Sequence, residues 1–214
     1  MPKPAPISRS RIVWTSLATA MTLCTGLLLA LDSRSGPSLD GVVIPLVAPS
    51  VGPQSVEVVF DTREPLDRER WVSIVIDHTG TRFATAESLD ADHRAGNRRG
   101  LGYHFVIGNG RGLDDGMLHV GYRWRDQLPG AHTAGPGGEF HNRRSIGICL
   151  VGDGDRRRFS DRQVDRLVEL VEALCRELEI SPDQVLLHRD VAEVRGPGLL
   201  FPEMALRERL AALR

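Results

Sequence analysis

The stretch Trp71 to Thr81, "WVSIVIDHTGT", is an apolar run that ends in two ionisable side chains, Asp77 and His78. Strand-mounted catalytic groups sit in this way, because the strand fixes the backbone and the pocket lies beyond its end. Both residue types can ligate a metal ion. Neighbouring residues on a strand point to opposite faces, so if Asp77 faces the pocket, His78 faces away from it. The same parity separates Tyr103 from His104 in "GYHF". His188 in "LLHRDV" follows another short apolar run, whereas His93 and His119 read as structural residues. The sequence "GNGRG", residues 108 to 112, invites comparison with a phosphate-cradling loop, but no helical pattern follows it and it reads as a turn.

The elements that must position these groups follow from periodicity. "WVSIVI" is a strand, and "TAESLDADHRAG" has helical spacing with Thr85 as N-cap and Gly96 as stop. "GYHFVIGNGRG" and "MLHVGYRW" read as two strands joined by glycine-rich turns, and "SIGICLVG" suits a sheet centre covered on both faces. Ser160 and Gln163 form a capping box ahead of an apolar stripe of Val164, Leu167, Val168, Val171, Leu174 and Leu178. "QVLLHRDV" ends the sheet region, and "PEMALRERLAAL" closes the chain as an amphipathic helix with Pro202 in its first turn. "VEVVF" is expected as an outer strand. The order predicts an α/β fold, a central mixed β-sheet flanked by helices.

With 27 Lys plus Arg against 28 Asp plus Glu in 214 residues, the net charge of -1 argues against a nucleic-acid partner. Cys24, Cys149 and Cys175 are far apart in apolar contexts and suit buried hydrophobes better than a disulfide framework or a metal knuckle. Residues 1–11 form a basic tail with Lys3, Arg9 and Arg11, and Ile12 to Leu31 carries no charge over the roughly 20 residues a bilayer crossing needs. This predicts an N-terminal transmembrane helix, with a cleavable signal segment as the alternative. Residues 32–55, rich in Pro, Gly and Ser, read as a linker, and 56–214 as one exported domain, membrane-anchored, or secreted if the segment is cleaved.

"IVIDHTGT", "GLGYHFVIGNGRG", "GYRWRDQLPGAHT", "HNRRSIGICLVGDGD", "HRDV" and "GPGLLFP", in that order over residues 68 to 202, together resemble the peptidoglycan recognition protein and type 2 N-acetylmuramoyl-L-alanine amidase family. The resemblance implies the amidase/peptidoglycan recognition fold and a peptidoglycan or muropeptide partner. Members cut the amide between N-acetylmuramic acid and the first L-alanine of the stem peptide with one zinc ion, and others have lost the metal and only bind. The zinc makes a water nucleophilic at neutral pH and stabilises the tetrahedral oxyanion, using three protein ligands and one open position.

By resemblance, the second ligand falls on His188 and the assisting tyrosine on Tyr103. The first ligand position, usually histidine, holds Asp77; the third holds Gly196, which has no ligating side chain; and the assisting Lys or Thr falls on Val194. Glu193 or Asp190 could substitute as ligand from the same loop. His132 and Asn142 fall in segments that line the muropeptide groove, and Trp124 offers a flat face for a sugar or stem, with packing under a loop as the alternative. Arg123 and Arg143 could pair with stem carboxylates. Two functions follow from this pattern: a zinc amidase with an altered ligand set, or a peptidoglycan-binding module whose metal site has decayed. A regulator that binds another amidase is a more remote third.

Overall fold

A computed structural model describes residues 55–212. The apolar run before Asp77 forms strand β1 (Ser73–His78), and the chain then enters helix α1 (Ala86–Ala95). Thr85 accepts from the Ser88 N–H while the Ser88 hydroxyl accepts from the Thr85 N–H, a reciprocal cap that fixes where α1 begins. Strands β2 (Phe105–Ile107) and β3 (Leu118–Val120) follow, then two short helices, α2 (Tyr122–Arg125) and α3 (Gly138–Arg144). Strand β4 (Ser145–Leu150) leads to the long helix α4 (Asp161–Leu178), which starts at the capping box of Ser160 with Gln163. Strand β5 (Val185–Leu187) runs directly into helix α5 (His188–Val191), and α6 (Glu203–Ala211) ends the described chain.

The sheet order is β3-β2-β4-β1-β5. β1 is parallel to both β4 and β5, β2 is parallel to β4, and only β3 is antiparallel, so the sheet is mixed as the sequence predicts. Every residue of the central strand β4 is buried. Ile74, Ile76, Phe105, Ile107, Ile146 and Ile148 pack with Leu167, Leu170 and Leu174 of α4. Val106, Cys149 and Val151 pack instead with Leu89, Leu101 and Tyr103, on the α1 side. Each of these large side chains contributes about 2 kcal/mol on burial, so strand register, and with it the direction of every strand-end side chain, is fixed by packing. Asp77 pairs in register with Cys149 and shares its face.

Two sequence-based expectations give way here. "VEVVF" is not a strand but one turn of 3-10 helix, Val56–Phe60. Val56 and Val59 are buried and Val58 is 63% exposed, a spacing of three that suits a three-residue turn and not strand alternation. "YRW" likewise coils into α2 rather than extending β3. The apolar segment Ile12 to Leu31 lies outside the described residues, and among those described no helix is long and apolar enough to cross a membrane.

Candidate functional site

Three chain segments meet at Asp77. Its position on the α1 face of β1 directs the carboxylate toward Tyr103, which precedes β2, and toward His188, which opens α5 straight after β5. The Tyr103 hydroxyl donates to Asp77 Oδ2 at 2.7 Å, and His188 Nδ1 donates to the same oxygen at 2.7 Å. A carboxylate only accepts, so Nδ1 carries a proton and donates it to Asp77. Nε2 of the same ring is buried and has no hydrogen-bond partner among the described residues. Asp77, Tyr103 and His188 are only 6%, 8% and 8% exposed.

Asp77 is a buried anion held by hydrogen-bond donors. Burial pushes the Asp77 pKa up, but the hydrogen bond and charge of His188, the Tyr103 hydroxyl and the His78 N–H outweigh it, and the carboxyl is held below its ordinary value. Burial, Cys149 and Asp77 together raise the Tyr103 phenol well above its ordinary value, so it remains a donor. Burial and the Asp77 charge likewise raise the Cys149 thiol, which rules it out as a ready thiolate nucleophile. His132 stacks under Tyr103, with ring centroids 6.2 Å apart and planes 14° from parallel. Burial lowers its pKa to about 4, so it is a neutral ring at physiological pH.

His78 and His104 turn away from Asp77, as strand parity requires. His78 Nδ1 accepts from the Gly154 N–H, and His104 Nδ1 accepts from the Gly147 N–H. Asn142 braces the His132 loop: its Oδ1 accepts from the N–H groups of His132 and Thr133 and its Nδ2 donates to Thr133 O. For Trp124 the packing alternative holds and the sugar-binding one does not. It is fully buried and donates Nε1–H to Val59 O at 2.6 Å, so it packs beneath the sheet and offers no face to a sugar. Arg123 is also buried, and its guanidinium donates to the carbonyls of Leu101, Pro129 and Arg99, which leaves little for a stem carboxylate. Arg143 is exposed on α3 and pairs with Glu139 at 2.9 Å.

Gly196 supplies no ligand, and a Cβ added there would overlap Asp77 Oδ1 and lie 3.1 Å from Asp77 Cγ and 3.3 Å from His188 Cβ. The Asp77 carboxylate therefore fills the volume a ligating side chain at 196 would need. Two ligands on one tetrahedral zinc sit about 3.3 Å apart, whereas the 2.7 Å between Asp77 and His188 is a direct hydrogen bond. Asp190 accepts from the Leu187 N–H, and Glu193 is exposed. Among the described residues no three His, Cys, Asp or Glu gather closely enough to hold a metal. The residues present do not fit a three-ligand zinc site.

Residues 67–198, more than half of the chain, match the family N-acetylmuramoyl-L-alanine amidase. The chain belongs to the N-acetylmuramoyl-L-alanine amidase family. It is 30% identical over 143 residues to peptidoglycan-recognition protein 2 of Holotrichia diomphalia, spanning 61% of this chain and 70% of that protein. It is 34% identical over 104 residues to the endolysin of Enterobacteria phage T3, spanning 46% of this chain and 59% of the endolysin. Among solved structures it is similar to the endolysin N-acetylmuramoyl-L-alanine amidase LysCS from Clostridium intestinale, with TM-score 0.58 and 26% identity over 70% of this chain and 90% of that one. Human PGRP-IBETAC, solved in complex with glycosamyl muramyl pentapeptide, shares the fold at TM-score 0.52 and 19% identity, over 67% of this chain and 84% of that one. Within this amidase family chain, sequence reasoning located Asp77, Tyr103 and His188, but it missed the packing of Asp77 against Gly196. The signal was present, since the smallest residue at 196 accompanies an unusual carboxylate at 77.

Proposed function

We propose that this domain binds muramyl peptide fragments of peptidoglycan and does not hydrolyse them. Membership of the amidase family and the likeness to peptidoglycan-recognition proteins support the ligand class. The observation that carries the absence of turnover is Asp77: its Oδ2 takes hydrogen bonds from Tyr103 and His188, and its Oδ1 lies where a side chain at 196 would be. Hydrolysis of an unactivated amide needs a group that lowers the pKa of water from about 16 toward 7. Tyr103 is a protonated phenol, Cys149 a protonated thiol and His132 a neutral ring, and none of them can do so. His188 Nε2, buried and without a hydrogen-bond partner among the described residues, is placed to pair with a polar group of a bound peptide.

Two measurements on the full chain test this reading. Calorimetric titration with a muramyl pentapeptide should give binding, and incubation with purified peptidoglycan should release no stem peptide, with or without added zinc. Release abolished by a chelator would sink the proposal. The same reading places the domain outside the cytoplasm, held by the uncharged segment Ile12 to Leu31 behind its basic tail. Protease added to intact spheroplasts is expected to digest it, and full protection would refute that placement.

A further inference from the structure

The turn Gly108–Gly112 has a role that its sequence alone did not reveal. It stands against the loops that follow β1 and β4, and the three segments enclose a cavity of about 230 Å³ lined by Arg82, Asn109, Arg111, Asp153, Arg157 and Arg158. We propose that this cavity is a binding site for a phosphate group, separate from the Asp77 site.

Four guanidinium groups line the cavity and only one carboxylate, Asp153, which pairs with Arg156 at 3.5 Å. Among the described residues Arg82, Arg111, Arg157 and Arg158 make no ion pair and no side-chain hydrogen bond. Other surface arginines vary, since Arg63 pairs with Asp126 at 2.7 Å and Arg94 with Asp90 at 2.6 Å whereas Arg98, Arg125 and Arg176 have no ion pair among the described residues; what sets these four apart is that they converge on one cavity. Like charges gathered without partners repel, so a fold that holds them together is set for an anion.

The backbone that carries them is braced. Asn109 Nδ2 donates to Arg82 O at 3.0 Å, Asn109 Oδ1 accepts from the Arg111 N–H at 3.0 Å, and the Ala84 N–H donates to Arg111 O at 3.3 Å. Gly112, at φ +96°, packs so closely on this loop that an added Cβ would overlap the Ala84 carbonyl oxygen. On the other side the Thr79 hydroxyl accepts from the Gly152 N–H at 3.0 Å and ties the arginine-bearing loop after β4 to the end of β1. Ser160 caps the N-terminus of α4 at the cavity edge, so the arginines, not the helix end, supply the attraction.

A carboxylate is satisfied by one bidentate arginine, whereas four guanidinium forks match the several oxygens and the greater charge of a phosphate. An adjoining cavity of about 400 Å³ shares Arg82, Asp153 and Arg157 and adds Phe83, which is 61% exposed. The phosphate can therefore be borne on a larger molecule that extends over Phe83.

The test titrates the full chain at about 20 mM ionic strength with inorganic phosphate, with poly(glycerol phosphate) and with acetate. Phosphate is expected to bind at least ~10-fold more tightly than acetate, and Arg111→Gln with Arg158→Gln to weaken it at least ~10-fold. A polymer that binds more tightly per phosphate than the free ion would identify a phosphodiester chain as the source, and equal affinity would identify free phosphate or a monoester. Circular dichroism of the double variant should be unchanged, since both side chains are exposed. No binding up to ~10 mM phosphate, acetate binding as tight as phosphate, or binding that survives the double variant would each overturn the proposal.

Discussion

Gly196→Ala is expected to cost about 3 kcal/mol or more of folding stability, and Gly196→Cys at least as much. The added Cβ would overlap Asp77 Oδ1, and the alternatives to overlap are all unfavourable. Moving the carboxylate breaks its bonds to Tyr103 and His188, and a buried charge that loses partners is destabilising by about 3 to 5 kcal/mol. Moving the 196 backbone disturbs the Arg189 N–H bond to Gly196 O at 2.8 Å, which links this loop to α5. For a domain of this size the loss corresponds to a fall of roughly 10 °C in Tm. A double-mutant cycle locates the cause. Asp77→Ala with Gly196→Ala should be less destabilised than the sum of the single variants by at least ~1 kcal/mol. Unfolding of Gly196→Ala at the parent's temperature would show that Asp77 does not fill this space.

Acid should weaken the fold well before carboxylates titrate. His132 has its pKa lowered by burial from 6.5 to about 4, and burial likewise drives His104 well below its ordinary value. For such a base the unfolded chain binds the proton first. Stability is therefore complete above pH 6.5 and falls as pH drops toward 4, where the folded ring can also protonate. At about 1.4 kcal/mol per pH unit, His132 alone accounts for a loss of about 3 kcal/mol across that window. Asp77 adds to the loss only further down, because its folded pKa lies below the ordinary 3.8 and its stabilisation disappears as pH falls through that lowered value. Urea unfolding at pH 7.5 and 4.5 measures the difference. His132→Asn should flatten the slope whatever it does to absolute stability, and an unchanged slope would mean that His132 does not stay neutral in the folded protein.

What could be read in the sequence was what local patterning controls. Continuous apolar runs marked β1 and β4 as strands, and parity alone separated Asp77 from His78 and Tyr103 from His104, because a pleated strand allows no other arrangement. The capping pairs Thr85 with Ser88 and Ser160 with Gln163 set where α1 and α4 begin, although only the second was recognised as a box. "VEVVF" misled because β-branched residues favour strands, and only the burial of Val56 and Val59 three residues apart shows the turn. Trp124 reads nearly equally as a flat binding face or as packing, and because its Nε1–H partner, Val59 O, lies 65 residues earlier, no local signal decides between the two. The phosphate cavity was hidden for the same reason. Arg82, Arg111 and Arg157 sit on three loops that only sheet order brings together, and a motif search sees "GNGRG" without the other two walls.

The packing of Asp77 into the space beside Gly196 also constrains how this chain can change over generations. A codon change that gives 196 a ligating side chain meets the carboxylate before any metal can reward it. A change that first removes the carboxylate leaves the Tyr103 hydroxyl and His188 Nδ1 without their shared acceptor. Either first step is expected to lower stability, so a ligating side chain at 196 would require both substitutions together. Positions 77 and 196 therefore behave as a coupled pair, each limiting which residues the other can hold.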